Sequence, residues 1–429
     1  MRYLASESGG EASMTACAIE TATADGAVAS TDGSDASDDG TRTTSDAEAP
    51  RGAVAAAITI TADGTYGARL AGTGEALFPE RWTLDGLEPY AVPLPLDQPE
   101  ERDAQVLPLS DGRVLIGRRV AERHTFSLLY PTGPATGELP LGAVPAEELT
   151  LLPPSPDGVL AYALVPGAHS TGVWLVAGGA RGPERIAEVA GHCSGGAWLD
   201  RAGRLLALDR RRADGGPVKT VVVDLARGGE VTPLLQITDD SDDRLLLADA
   251  DSGLLLIRSN APGPGQDRLG WGVLGSARPV RFPRSLRLPD ALVTPFAVQP
   301  GQVLMPEGCA VALRIDGAAG SWVGLWRPSA RRMIQLVPPE GWLAGAGTWS
   351  RDGVLQLPCA TESMPCGVSR TEVPEALCAP AETFGHRAAT EPAQAEAAGG
   401  EPCEGSGGPV VCRPVPLQQA PLTGRGARG

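Results

Sequence analysis

Seven glycines, each closing a tight turn ahead of an apolar run, recur through this chain at Gly64, Gly112, Gly158, Gly203, Gly253, Gly301 and Gly353. The intervals run from 45 to 52 residues, with a mean of about 48, the length of one four-stranded β unit with its turns. Most of the turns carry an acid beside the glycine: Asp63, Asp111, Asp157, Asp251 and Asp352. The unit is clearest between Ser155 and Val189. Ser155-Pro156-Asp157-Gly158 reverses the chain, and strand signals follow at 159–165, 172–176 and 185–189, each bounded by glycine or proline. With one strand before the turn, this makes a four-stranded antiparallel meander.

The same order repeats elsewhere. Apolar second strands are expected at 114–117, 159–164, 205–208, 254–257, 303–305 and 354–357, and third strands at 126–130, 173–176, 221–225, 271–274 and 322–326. A lone four-stranded sheet cannot bury both its faces. A ring of such sheets buries each face against a neighbour and leaves only short protected edges. The expected fold is therefore all-β: one seven-bladed β-propeller of four-stranded antiparallel blades over residues 53–422. Trp174, Trp198, Trp271, Trp326 and Trp349 fall at strand positions and are read as packing between blades. The last unit is irregular, with a polar insertion at 379–408 before a closing strand at 410–422 and a short disordered end at 423–429. The pattern, SPDG hairpins followed by a strand such as Val173-Trp174-Leu175, resembles the WD40-like and TolB-type propeller repeats. The resemblance is one of repeat grammar, since the Gly-His and Trp-Asp dipeptides of the strict WD repeat are missing, and it implies a fold without naming a partner.

Residues 1–52 are Ala, Ser, Thr, Asp and Gly with almost no large apolar side chain, so nothing offsets the entropy of ordering them. This segment is read as a disordered acidic tail. Ten acids and two bases in its first 50 residues supply half of the chain's net charge of -16. That charge disfavours nucleic acid as a partner. The chain start lacks a basic segment followed by an apolar one, and no apolar run is long enough to span a bilayer, so a cytoplasmic monomer without membrane insertion is expected. In that setting the eight cysteines are read as free thiols. Five of them, Cys359, Cys366, Cys378, Cys403 and Cys412, crowd the end of the chain without a C-x-x-C pair. An oxidising compartment would make Cys359 with Cys366 the first disulfide and would favour a secreted protein instead.

The chain carries no familiar catalytic signature: no glycine-rich phosphate loop precedes Lys219, and neither H-E-x-x-H nor a G-x-S-x-G elbow is present. No cofactor is implied. The candidate binding face is the one carrying the loops between second and third strands and between blades. His124, His169 and His192 are expected there, together with Asp209, Arg210, Arg211 and Arg212 in the long loop of blade four. Asp239, Asp240, Asp242 and Asp243 follow in the link to blade five. Mutual salt bridging between these two charged clusters is the plainest expectation, and it weighs against a metal site. The sequence thus points to a non-catalytic module that binds a protein or peptide on its loop-rich face. The alternative is a propeller hydrolase or lyase whose three histidines line the channel mouth, which requires them to converge within about 5 Å.

Overall fold

A computed structural model of the chain describes residues 58–374, apart from 264, 302–304 and 331. The tail 1–52, the insertion 379–408, the closing strand 410–422, the terminus 423–429 and Cys17, Cys378, Cys403 and Cys412 lie outside the described residues. The chain divides into two units, 1–381 and 382–429, and everything described belongs to the first.

Seven antiparallel sheets follow one another in chain order. Blade one holds β1 (Thr59–Ile60), β2 (Tyr66–Thr73), β3 (Ala76–Thr83) and β4 (Tyr90–Pro93). Blade two holds β5 (Gln105–Pro108), β6 (Val114–Val120), β7 (Arg123–Pro131) and β8 (Thr136–Pro145). Blade three holds β9 (Thr150–Leu151), β10 (Ala161–Pro166), β11 (Ser170–Ala177) and β12 (Glu184–Ala190). Blade four holds β13 (His192–Trp198), β14 (Leu205–Arg211), β15 (Lys219–Asp224) and β16 (Glu230–Leu235). Blade five holds β17 (Asp243–Ala248), β18 (Leu254–Ser259) and β19 (Arg268–Val273). Blade six holds β20 (Leu292–Val298), β21 (Val311–Gly317), β22 (Gly320–Trp326) and β23 (Ile334–Leu336). Blade seven holds β24 (Thr348–Trp349), β25 (Val354–Cys359) and β26 (Gly367–Glu372).

Each sheet is a meander in which spatial order equals chain order, and the first strands of most neighbouring blades touch. The second strands show why the ring forms. Val114, Leu115 and Ile116 are all fully buried, as are Leu254, Leu256 and Ile257, because both faces of the blade meet a neighbour. Alternation assigns each residue to one neighbour: Leu206 and Leu208 of β14 pack toward blade three, and Ala207 between them packs toward blade five. The outer strand β8 is mostly exposed. In blade five the outer position shrinks to one bridge, Trp271 to Arg281, because Pro279 and Pro283 flank it and cannot donate to a ladder. A short 3-10 turn, Arg284–Leu286, buries Leu286 in the space a fourth strand would fill.

Polar side chains sew the seams by satisfying the neighbouring blade's backbone. The Gln105 amide donates to Leu149 O (2.8 Å) and accepts from Leu151 N (2.7 Å). Thr171 Oγ1 donates to Gly191 O and accepts from Cys193 N, at 3.0 and 2.9 Å. Arg258 reaches Val293 O, and Arg314 reaches Ala344 O. Blades seven and one close the ring with side chains: Ile58, Trp82, Leu84 and Ala346 form one apolar cluster, and Arg370 donates to Gly86 O at 3.0 Å. Tryptophans fill the interfaces as expected. Trp198 meets Tyr162 across blades three and four with ring centroids 5.2 Å apart, and Trp326 is fully buried.

The turn glycines split into two kinds. Gly64, Gly112, Gly158, Gly203, Gly253 and Gly353 all have φ between 64° and 82°, which glycine alone adopts without strain. The acid beside them caps the turn: Asp157 Oδ1 accepts from Val159 N, Leu160 N and Ser155 Oγ. Gly301 is different. It is not among the positive-φ glycines; a Cβ there would lie 2.5 Å from Ser252 Cβ, so it is small because blade five presses on it. The expected second strand at 303–305 is correspondingly misplaced. Residues 302–304 lie outside the described set, Met305 is an exposed non-strand residue, and the strand is β21, beginning at Val311. A repeat glycine had marked the seam and not the hairpin.

Gly158 combines both demands, with φ of 66° and a would-be Cβ 2.6 Å from Ser110 Cβ in blade two. Gly215 has φ of 91° with nothing within 4 Å. Gly215→Ala should therefore lose only the backbone term, about 1 kcal/mol, and Gly158→Ala at least about twice that in urea denaturation. Equal losses would show that the seam does not press on the turn.

Candidate functional site

The hairpin between β10 and β11, the link from β12 to β13, and the loop from β14 to β15 open on one face at the seam of blades three and four. Together they form a cleft of about 480 Å3, lined by His169, Ala190, Gly191, Arg210, Arg212, Ala213 and Asp214. Gly191 N donates to His169 O at 2.8 Å, which ties two of the three loops. Gly191 has φ of 100°, and a Cβ there would lie 2.4 Å from Arg211 O, so the link passes close under the arginine strand. The Thr171 bonds described above hold the same link from beneath.

The structure brings together three of the expected residues, His169, Arg210 and Arg212. Arg212 is paired with Asp214 through 2.5 and 3.0 Å bonds. Arg210 continues β14 between Cys193 and Lys219 in register, and its Nε is closed off from solvent without a hydrogen-bond partner. Arg211 is exposed and stands opposite His192, also exposed, at the start of β13. His124 is elsewhere: it is not a loop residue but lies within β7, 6 % exposed, with Nε2 3.5 Å from Glu147 O. Among the described residues no group of three or more His, Cys, Asp and Glu gathers as a metal would require.

The acidic cluster has a different use. Asp209 is buried on the far face of β14, toward blade five, and accepts from Thr220 Oγ1 (2.8 Å) and Leu245 N (3.0 Å). Burial pushes its carboxyl above the ordinary aspartate value, against those two bonds and the nearby Arg244. Asp243 is fully buried and accepts from Lys219 Nζ (2.8 Å), Ser241 Oγ (2.9 Å), Ser259 Oγ (2.6 Å) and Ile237 N (2.9 Å). Burial opposes its ionisation, but Lys219 and the other donors outweigh it and hold the carboxyl below the ordinary value. Lys219 also donates to Thr238 O and Ser241 O. Asp242 Oδ1 accepts from Val218 N, and the exposed Asp239 accepts from Gln236, while Asp240 stands in solvent. None of the ion pairs found among the described residues joins Arg210, Arg211 or Arg212 to this cluster, which corrects the expected mutual bridging. Adjacent residues of a strand face opposite seams, so closeness in sequence did not become contact.

Lys219 was the residue sequence reasoning passed over. It is the one lysine among 36 basic residues, and it sits where three donors of a compact ammonium are consumed by two carbonyls and a carboxylate, a geometry that a planar guanidinium does not match. Composition carried that signal without saying what it meant.

A second depression, about 610 Å3, lies between blades one and two. Its Arg118 is already forked onto Glu100 at 2.7 and 2.8 Å and bonded to Glu138 at 2.7 Å, so its central charge is spoken for. In the cleft at blades three and four, the enclosed Nε of Arg210 has no hydrogen-bond partner among the described residues.

The described thiols, Cys193, Cys309, Cys359 and Cys366, are all free, and burial holds each above the ordinary thiol value. Burial pushes Cys193 up to about 11 in spite of Thr171 and Arg210, and burial with the Glu80 carboxylate pushes Cys366 up to about 12. At pH 8 the native protein should alkylate at Cys193 and Cys366 at least about tenfold more slowly than the guanidinium-unfolded chain, read peptide by peptide by mass spectrometry. Native rates equal to unfolded ones would contradict that burial.

The two aspartates separate in the same way. A carboxyl held below its ordinary value adds stability above the ordinary aspartate range and loses it as pH falls through the folded value. Asp243→Asn should thus cost about 3–5 kcal/mol near pH 7, the loss shrinking in acid. Asp209 has the opposite sign, its ionised form being disfavoured in the fold. Both its donors go to Oδ1, which an amide retains, so Asp209→Asn should change stability by less than about 1 kcal/mol at pH 7. Similar costs for the two variants in denaturant titrations would reject these assignments.

No protein family matches the chain, and no curated protein does. Several solved structures resemble it in part. A putative TolB from Agrobacterium tumefaciens is 17 % identical, covers 53 % of this chain and 79 % of its own, with a TM-score of 0.37. A puromycin-hydrolyzing peptidase from Mycobacterium tuberculosis is 16 % identical, with 73 % and 50 % coverage and a TM-score of 0.47. Prolyl oligopeptidase B from Galerina marginata is 13 % identical, with 74 % and 49 % coverage and a TM-score of 0.47. The chain spans about half the length of the two peptidases. Likeness at this level carries no activity across, and the fold rests on the chain's own sheets and seams. On those, it is a seven-bladed β-propeller.

Proposed function

We propose that this chain is a binding module that takes an extended polypeptide segment on its loop-rich face, anchored at the cleft between blades three and four. The observation that carries the reading is Arg210: an arginine of β14 that lines the cleft, with its Nε enclosed and unmatched among the described residues. Arginines enclosed in clefts are among the residues on which binding energy concentrates. The seams support the reading, since hydrogen bonds from Thr171 hold the cleft's floor in place before any ligand arrives. The competing hydrolase or lyase reading needs His124, His169 and His192 to share one site. The burial of His124 within blade two, under Glu147, gives that reading no support.

The test is selection from a displayed random peptide library against the full chain and against Arg210→Ala. The wild type should enrich a sequence class, and Arg210→Ala should weaken its binding at least tenfold in fluorescence anisotropy while unfolding at the same urea concentration. Failure to enrich any peptide, or equal binding by the variant, would reject the reading.

A further inference from the structure

The charge balance of the cleft between blades three and four specifies what it accepts. Two guanidinium groups line it, and Asp214 neutralises that of Arg212. Among the described residues, Arg210 is left without a carboxylate. Its partner across β14 and β15 is Lys219, a like charge in direct register, which destabilises a sheet unless something else compensates. Lys219 is itself compensated, since Asp243 takes its charge on the side of blade five. Arg210 therefore carries one net positive charge at the cleft, which His169 of the facing loop also lines.

We infer that the Arg210 cleft binds a single carboxylate of a peptide, held by the guanidinium fork. The inference rests on the peptide-binding reading and deepens it. A planar fork matches the two oxygens of a carboxylate, and one unmatched positive charge matches one negative charge. A phosphate dianion would bring a second negative charge into a chain whose net charge is already -16. The carboxylate can come from a chain terminus or from an acidic side chain, and both present the same group to Arg210.

The experiment uses the full chain labelled with 15N-arginine. An Nε–H enclosed as that of Arg210 is should exchange slowly and give a sharp signal, identified by its loss in Arg210→Lys while the other arginine signals stay in place. The probes are N-acetylglycine for a chain end, N-acetylglutamic acid α-amide for a side chain, neutral N-acetylglycinamide and inorganic phosphate, all at constant ionic strength in sodium chloride. The expected result is a saturable shift of the Arg210 signal by at least one carboxylate, none by the neutral amide, and phosphate binding no tighter than the better carboxylate. The carboxylate that saturates at lower concentration identifies the source. No saturable shift, an equal shift with the amide, or phosphate binding tenfold tighter would overturn the inference. Its failure is separable from that of the binding-module reading. Selected peptides that need Arg210 but bind equally well with every carboxylate blocked would leave the module standing and remove the anion site. Carboxylates that bind where no peptide is enriched would do the reverse.

Discussion

Everything in this propeller depends on how the edges and faces of small sheets are covered. A four-stranded blade has two apolar faces and an inner edge whose backbone groups have no partner in their own sheet. The faces are covered by the next blade, which is why second strands such as β6 and β18 are apolar without alternation. The edges are covered by side chains from the blade before: Gln105, Thr171, Asp209 with Thr220, Arg258 and Arg314 each bond the backbone of the following blade or of the link leading to it. An unsatisfied buried backbone group costs about 1–3 kcal/mol, so these few polar residues make the ring specific where the apolar faces only make it compact.

The same arrangement creates the candidate site. Blade four uses its two faces differently at the loop-rich end. Toward blade five, Asp209, Thr220, Lys219, Ser241, Asp243 and Ser259 form a closed network in which the lysine and the buried carboxylate satisfy each other. Toward blade three, Arg210 remains without such a partner among the described residues, beside a cleft whose floor is a glycine link held by Thr171. One strand thus carries a structural carboxylate and a free guanidinium at consecutive positions. The pleat keeps them apart, and a seam filled on one side and open on the other converts that separation into a binding surface.

Much of this architecture was legible as a period. Glycines at about 48-residue intervals, with an aspartate beside most of them, announced hairpins because only glycine takes the left-handed backbone there and because a short carboxylate caps the turn. The number of units, their order and their two-sided burial followed from that repeat and from the apolar runs behind it. The repeat failed at Gly301, where the same residue type answers a demand for space from Ser252 and not a demand on φ, and the strand placed after it was set several residues early. The charged residues were legible as a neighbourhood and not as partners. Asp209 and Arg210 adjoin in sequence yet face opposite seams, His124 lies inside a strand instead of on the rim, and the one lysine found its carboxylate 24 residues on. Local propensity and periodicity act within a blade, so composition and spacing carry them. Which side chain meets which across a seam depends on the twist and register of two sheets at once, and only the packed ring decides it.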